Sequence, residues 1–217
     1  SKIGLDDAEL ETLADVAEKL HMPGPGADGV IEEFEGYFGL SKDLCGITER
    51  HCAHSQAVKQ PDVLALFLLF GGEYSREVQQ ANWRFYAPRT LHGSSLSLPG
   101  MALAAAMMGW ADEAADYFRR SARMDLDDLN GNTHEGVHLA GYAVLWETLV
   151  YGFGGLRASR NGLQFDPRLP QSWQGATFTL FWRGCRVAAD IRPDRLVLSA
   201  DGKNPAPVPV SVRGAAP

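Results

Sequence analysis

The sequence predicts a mainly α chain closed by a small β module, and three observations carry that prediction. Through the first two-thirds, apolar residues recur at helical spacing. From Gly152 onward, turn signals crowd together and the apolar spacing falls to two. Hydrophobic residues make up 45% of the 217, enough to bury a real core and to exclude wholesale disorder.

The helices follow in order. Leu10, Leu13, Val16 and Leu20 share one face of a segment opened by Asp6-Asp7-Ala8-Glu9, and Met22-Pro23-Gly24-Pro25-Gly26 ends it. A second helix starts near Asp62. Its run Val63–Phe70 is apolar almost all round, so it is expected to lie inside, fully covered, until Gly71-Gly72 stops it. Tyr74–Trp83 reads as a short outer helix. Ser97–Met108, rich in alanine and methionine, and Ala111–Ala122, with the stripe Ala114, Ala115, Phe118 and Ala122, are separated by Gly109. The last helix is expected over Glu135–Val150. Strongly apolar helices alternating with amphipathic ones suit a two-layered helical toroid; bundles and solenoids stay open, and no internal repeat of fixed period is present.

Past Gly152 the turn signals are Gly154-Gly155, Asn161-Gly162 and the rigid Asp166-Pro167-Arg168-Leu169-Pro170. Thr177, Thr179 and Phe181 mark one strand and Arg186–Ile191 the next, with Arg183-Gly184 turning between them. Arg195–Ser199 and Val208–Val212 add two more, which makes a small antiparallel module with a loose tail at Gly214-Ala215-Ala216-Pro217.

Composition narrows function. A net charge of −7 with scattered basic residues argues against nucleic acid as a partner. No apolar run reaches membrane-spanning length, and the first residues carry no signal-peptide pattern. The chain lacks an initiator methionine and runs straight into a helical pattern, as a start inside a longer protein would. Three unevenly placed cysteines imply no disulfide framework, so a reducing cytoplasm is the expected compartment. Cys45, His51, Cys52 and His54 match no standard zinc spacing and read as an exposed loop, with no metal.

The most informative stretch is Thr90-Leu91-His92-Gly93-Ser94-Ser95-Leu96-Ser97, with Arg89 just before it. An imidazole, a flexible glycine and three serine hydroxyls stand at the mouth of a helix, where backbone N–H groups and the helix dipole favour an anion. The loop holds no carboxylate, so phosphate suits it better than a metal. An ordinary serine N-cap is the competing reading. Lys59-Gln60, just before the all-apolar helix, either hydrogen-bonds sugar hydroxyls or forms a solvated helix start, for which Pro61 is well suited. The acidic stretch Asp125–Glu135 lacks EF-hand spacing; Asn132-Thr133 is expected to cap the last helix.

Residues 28–185 resemble glycoside hydrolase family 65, the maltose, trehalose and kojibiose phosphorylases and their hydrolase relatives. Six pieces occur in family order: Gly29–Phe38, Val58–Val63, Tyr86–Ser97, Asp125-Leu126 with Gly131-Asn132-Thr133, Phe153–Leu156 and Phe165–Pro170. The resemblance implies that residues 1–155 form the back half of an (α/α)6 barrel and residues 156–217 a C-terminal β-sandwich. It implies that Lys59 and Gln60 bind the sugar and that His92, Gly93, Ser94 and Ser95 bind phosphate. No cofactor is expected; inorganic phosphate is a co-substrate beside a disaccharide, and the parent protein is expected to be a homo-oligomer, a dimer. The family's general acid lies in a Gly-Pro-Asp-Glu-like segment, which does not occur in this chain, so no catalytic residue is expected here.

Overall fold

The computed structural model describes residues 4, 6–48 and 51–213; the tail expected to be loose lies outside them. Six α-helices come first: α1 (Asp7–Lys19), α2 (Asp62–Phe70), α3 (Arg76–Tyr86), α4 (Ser97–Met107), α5 (Ala111–Ala122) and α6 (Leu139–Glu147). A π-helical turn, Thr148–Phe153, continues α6. Strands β1 (Arg157–Ser159), β2 (Gly162–Phe165), β3 (Ala176–Trp182), β4 (Cys185–Arg192), β5 (Arg195–Ala200) and β6 (Val210–Val212) follow. The chain is therefore mostly helical with two three-stranded sheets. Among the described residues, no helix is long and apolar enough to cross a membrane.

Helix α4 is the centre of the helical part, with nine of its 11 residues buried. Its alanines let α2, α5, α6 and the π-helical turn all close on it. A Cβ on Gly152 would stand 2.6 Å from the Ala106 Cβ, so glycine is what admits the turn to α4. Leu98, Met101 and Leu103 supply the larger side chains, each contributing about 2 kcal/mol by leaving water. The main core gathers Ile31, Tyr37, Leu64, Phe67, Trp83, Tyr86, Met101 and Phe153. A second core lies between the sheets and joins Val150 and Leu156 to Phe165, Leu180, Val187 and Ile191.

Several elements depart from the sequence expectation. The helix predicted to be covered all round is covered on one side only. Val63, Leu64 and Phe67 of α2 are buried near α3 and α4, while Leu69 is 78% exposed. Periodicity shows that a helix is apolar; it does not say how many neighbours reach it. The stripe on α1 is likewise uncovered, and none of that helix's residues is buried, although Asp6 and Glu9 form a full capping box. Uncovered apolar faces of this kind invite association.

Helix α3 starts two residues later than predicted because Ser75 caps it. Helix α6 is shortened at both ends. Gly136, at φ 131°, breaks the chain before it, and the π-helical geometry takes over at Thr148. Its start is held by Asp125, whose carboxylate accepts from the His138 N–H at 2.9 Å. The predicted cap, Asn132-Thr133, sits in a separate short turn.

In the β module, β3-β4-β5 is antiparallel, and its β3–β4 hairpin turns on Arg183 and Gly184, both at positive φ. Ala176, Phe178 and Leu180 face inward; the Thr177, Thr179 and Phe181 that signalled the strand face out. The other sheet, β1-β2-β6, includes a hairpin whose loop is Arg160-Asn161, one residue ahead of the expected Asn161-Gly162 turn. The strand pair β2–β6 is parallel, which corrects the all-antiparallel expectation. A long return through residues 201–209 brings β6 in alongside β2, a geometry no tight hairpin allows.

Candidate functional site

Two loops separated by some thirty residues meet at the mouth of α4. Val58 and Thr90 form a parallel bridge: the Val58 N–H donates to the Arg89 carbonyl at 2.9 Å, and the Leu91 N–H donates to the Val58 carbonyl at 3.0 Å. Val58 and Thr90 are both buried, so the bridge is fixed in the core. The residues that follow on each side, Lys59-Gln60 and His92 to Ser95, therefore leave the core together. The Gln60 amide closes the gap with a 2.8 Å hydrogen bond to Ser94 Oγ. Lys59 is exposed beside it.

The serine loop is organised by its own side chains. Ser97 Oγ donates to the Ser94 carbonyl at 3.1 Å, and His92 Nδ1 lies 3.3 Å from the same Oγ. With its hydrogen on the Ser94 carbonyl, the Ser97 hydroxyl has lone pairs left to accept from the Nδ1–H tautomer of His92. Burial, aided by the charge of Arg120, pushes the His92 pKa down, which favours that neutral form. His92 adopts φ 55°, uncommon for a residue with a side chain, and packs 5.8 Å from the Tyr117 ring. Gly93 is exposed, while Ser94 and Ser95 are half-buried.

The ordinary serine cap is not what the loop forms. Leu96 occupies the cap position of α4, and no side chain caps the helix. Arg89 also departs from expectation. Its guanidinium stacks 3.8 Å from the Phe85 ring centre, donates to the Phe85 carbonyl at 2.7 Å, and reaches Gln56 Oε1 at 3.4 Å. It braces the loop from behind.

Two acidic groups that lie in the family segments but were given no role there also belong to this region. Pro61 leaves α2 without a side-chain cap, and Glu33 supplies one: its Oε1 accepts from the Asp62 N–H at 3.0 Å. Its other oxygen is buried with no hydrogen-bond partner. Burial, with the Asp62 charge adding to it, raises the Glu33 pKa to about 7. The second group is Asp125, which accepts from His138 Nδ1 at 2.5 Å, with Asn132 Nδ2 3.4 Å from His138 Nε2. This hydrogen bond to His138 is the main cause of the low Asp125 pKa. His138 and Ser95 line the same small hollow, and a Cβ on Gly141 would stand 3.0 Å from the Ser95 carbonyl. The signal for this imidazole was present in sequence as an Asp and a His flanking the acidic loop, but only the fold brings them to Ser95.

The cysteine–histidine cluster expected as an exposed loop shows Thr48 Oγ1 2.8 Å from His51 Nδ1. Among the described residues, no three histidine, cysteine or acidic side chains converge on a common point.

The arrangement offers neutral donors from an amide and two hydroxyls at an uncapped helix mouth, with no acidic residue in the loop itself. Such a site suits uncharged hydroxyls and an oxyanion. Comparison with known proteins gives the family of the chain. The model of the glycosyl hydrolase family 65 central catalytic domain matches residues 1–147, and that of the family 65 C-terminal domain matches residues 156–216. The chain belongs to glycosyl hydrolase family 65. It is 32% identical to 1,2-alpha-glucosylglycerol phosphorylase of Bacillus selenitireducens, over 98% of this chain and 31% of that protein. It is 33% identical to kojibiose phosphorylase of Halothermothrix orenii, over 92% of this chain and 27% of that one. A solved structure, a putative kojibiose phosphorylase from human microbiome, superposes with a TM-score of 0.83 at 29% identity, covering 99% of this chain and 33% of the other. The chain thus spans about three tenths of the length of the curated relatives it matches.

Proposed function

We propose that this family 65 chain provides the sugar- and phosphate-binding part of an inverting α-glucosyl disaccharide phosphorylase. The reaction is disaccharide plus phosphate to β-glucose 1-phosphate plus the free acceptor sugar. The observation that supports this reading is the 2.8 Å bond from Gln60 to Ser94, which joins the segment of Lys59 and Gln60 to the serine loop. Lys59 and Gln60 grip hydroxyls of the glucosyl unit. Gly93, Ser94 and Ser95 donate to phosphate, with His92 beside them and His138 behind Ser95.

Inorganic phosphate is already a competent nucleophile, so it needs donors that position it and no base. A hydrolase would need a second carboxylate to activate water. The loop from Arg89 to Ser97 contains none, Asp125 is already engaged by both the backbone and the ring of His138, and Glu33 is engaged in capping α2 through the Asp62 N–H. The six helices support the reading of residues 1–155 as part of an (α/α)6 barrel. The two sheets support the reading of residues 156–217 as the C-terminal β-sandwich. The family's acid-bearing segment has no counterpart in these 217 residues, so the purified chain is expected to bind phosphate without turning over kojibiose, trehalose or maltose.

The test follows the ring protons of His92 by NMR while inorganic phosphate is added. They are expected to shift in the wild-type chain. In Ser94→Ala/Ser95→Ala the affinity read at that ring is expected to fall about ten-fold or more, since hydrogen bonds to a charged group are among the stronger ones. A His92 signal indifferent to phosphate, or a double variant that binds as before, would overturn the assignment. Turnover by the purified chain would overturn the expected lack of catalysis.

A further inference from the structure

A cleft of about 600 Å³ opens at the other end of α4, between α2, α3 and the β module. Helix α4 has 11 residues, so its two ends stand about 16 Å apart. Arg76, Arg157, Arg168 and Arg213 line this cleft, and Asp166 is its one acidic side chain. Four cations against one carboxylate make a local excess of three positive charges, in a chain whose net charge is −7.

Part of this pattern is structural. Arg76 donates to the Met108 carbonyl at the end of α4, and Arg157 Nη1 donates to the carbonyls of Tyr151 and Leu156 at 2.8 and 2.7 Å. Cations at helix C-termini are favourable. That accounts for one nitrogen of each group, whereas a guanidinium carries five N–H donors. It does not account for their convergence. Arg168 donates to Asp166 at 3.3 Å and Arg213 lies 3.7 Å from the same oxygen, so a single carboxylate is shared by two guanidinium groups. All four arginines are exposed, so their side chains are open to a ligand from solvent. The opposite wall, Phe67, Leu69 and Tyr74, is apolar.

We infer that this cleft is a second oxyanion site, taking inorganic phosphate or a phosphate monoester on its converging arginines. Guanidinium forks match the oxygens of a phosphate group in pairs, which lysine does not do. The apolar wall offers a surface for whatever body the phosphate carries. The inference does not depend on the serine loop being a phosphate site.

The experiment uses the 217-residue chain carrying Ser94→Ala/Ser95→Ala, so that the loop does not contribute, and titrates it calorimetrically with inorganic phosphate and with glucose 1-phosphate. One binding event is expected to survive in this background for at least one of the two probes. Tighter binding of glucose 1-phosphate would place the sugar body on the apolar wall; equal or tighter binding of inorganic phosphate would make the free ion the ligand. Arg213 is exposed, and Arg213→Gln is expected to weaken the event about five-fold; Asp166→Asn, which removes the competing carboxylate, is expected to tighten it about five-fold. Tightening is informative because a misfolded variant would not produce it. The inference is overturned if the background variant binds neither probe, if neither substitution moves the affinity, or if the cleft takes an acidic peptide and no phosphate.

Discussion

Asn82→Ala is expected to lower the free energy of unfolding by about 4 kcal/mol, read from urea or guanidinium denaturation of the purified chain. Asn82 is fully buried on α3 and makes three hydrogen bonds. Its Oδ1 accepts from the Ile31 N–H at 2.8 Å, and its Nδ2 donates to the carbonyls of Gly29 and Val78 at 2.9 and 2.8 Å. The Ile31 carbonyl is held by the Tyr86 hydroxyl at 2.6 Å, so α3 grips both backbone groups of that residue. Alanine would leave the Ile31 N–H and the Gly29 carbonyl without their partners inside the core, each costing about 1–3 kcal/mol. A loss below about 1 kcal/mol would show that water or a local shift replaces the bonds. The effect should reach the site as well, because the segment that Asn82 anchors leads directly to Glu33.

Glu33→Gln is expected to stabilise the chain by about 2 kcal/mol at pH 8 and to have little effect at pH 4. The sign follows from the raised pKa. Folding lifts the Glu33 carboxyl from its ordinary 4.5 to about 7, so the folded state holds the proton more tightly than the unfolded one. The corresponding stability is fully present below pH 4.5 and is lost as pH rises through 7. Partial exposure of the group reduces the full linkage value, which is why about 2 kcal/mol is expected and not more. Glutamine keeps an oxygen for the Asp62 N–H while removing the buried charge. Denaturation midpoints of both proteins across pH 4–8 would check this: the gap should open with rising pH, and parallel curves would mean that Glu33 ionises normally. Because Glu33 caps the helix that Gln60 precedes, the same titration should loosen the start of α2 in the acid-to-neutral range.

These two residues show where reading the sequence stops. Asn82 sits in a polar stretch of an amphipathic helix, and nothing local marks it as buried. Glu33 is one of two adjacent glutamates, and its cap reaches a helix 29 residues away. Both act across long sequence separations, which neither periodicity nor propensity encodes. The same holds for His138, whose place beside Ser95 depends on how α6 packs against α4.

What was legible is local or patterned. Helix α5 lies where its alanine stripe put it, α1 begins at the acidic cap read for it, and Arg183-Gly184 turns the β3–β4 hairpin as expected. The order of six short segments was enough to point to the family. Position in the chain also predicted the serine loop at a helix mouth, since glycine and serine before an apolar helix have few other uses. The tertiary structure alone decided the rest. It turned Arg89 toward Phe85, left α2 half covered, ran β6 parallel to β2, and joined Gln60 to Ser94. Short-range preferences are set by each residue's own backbone and side chain. Which surfaces meet is set by the packing of distant segments around α4, and that competition is settled only when the whole core closes.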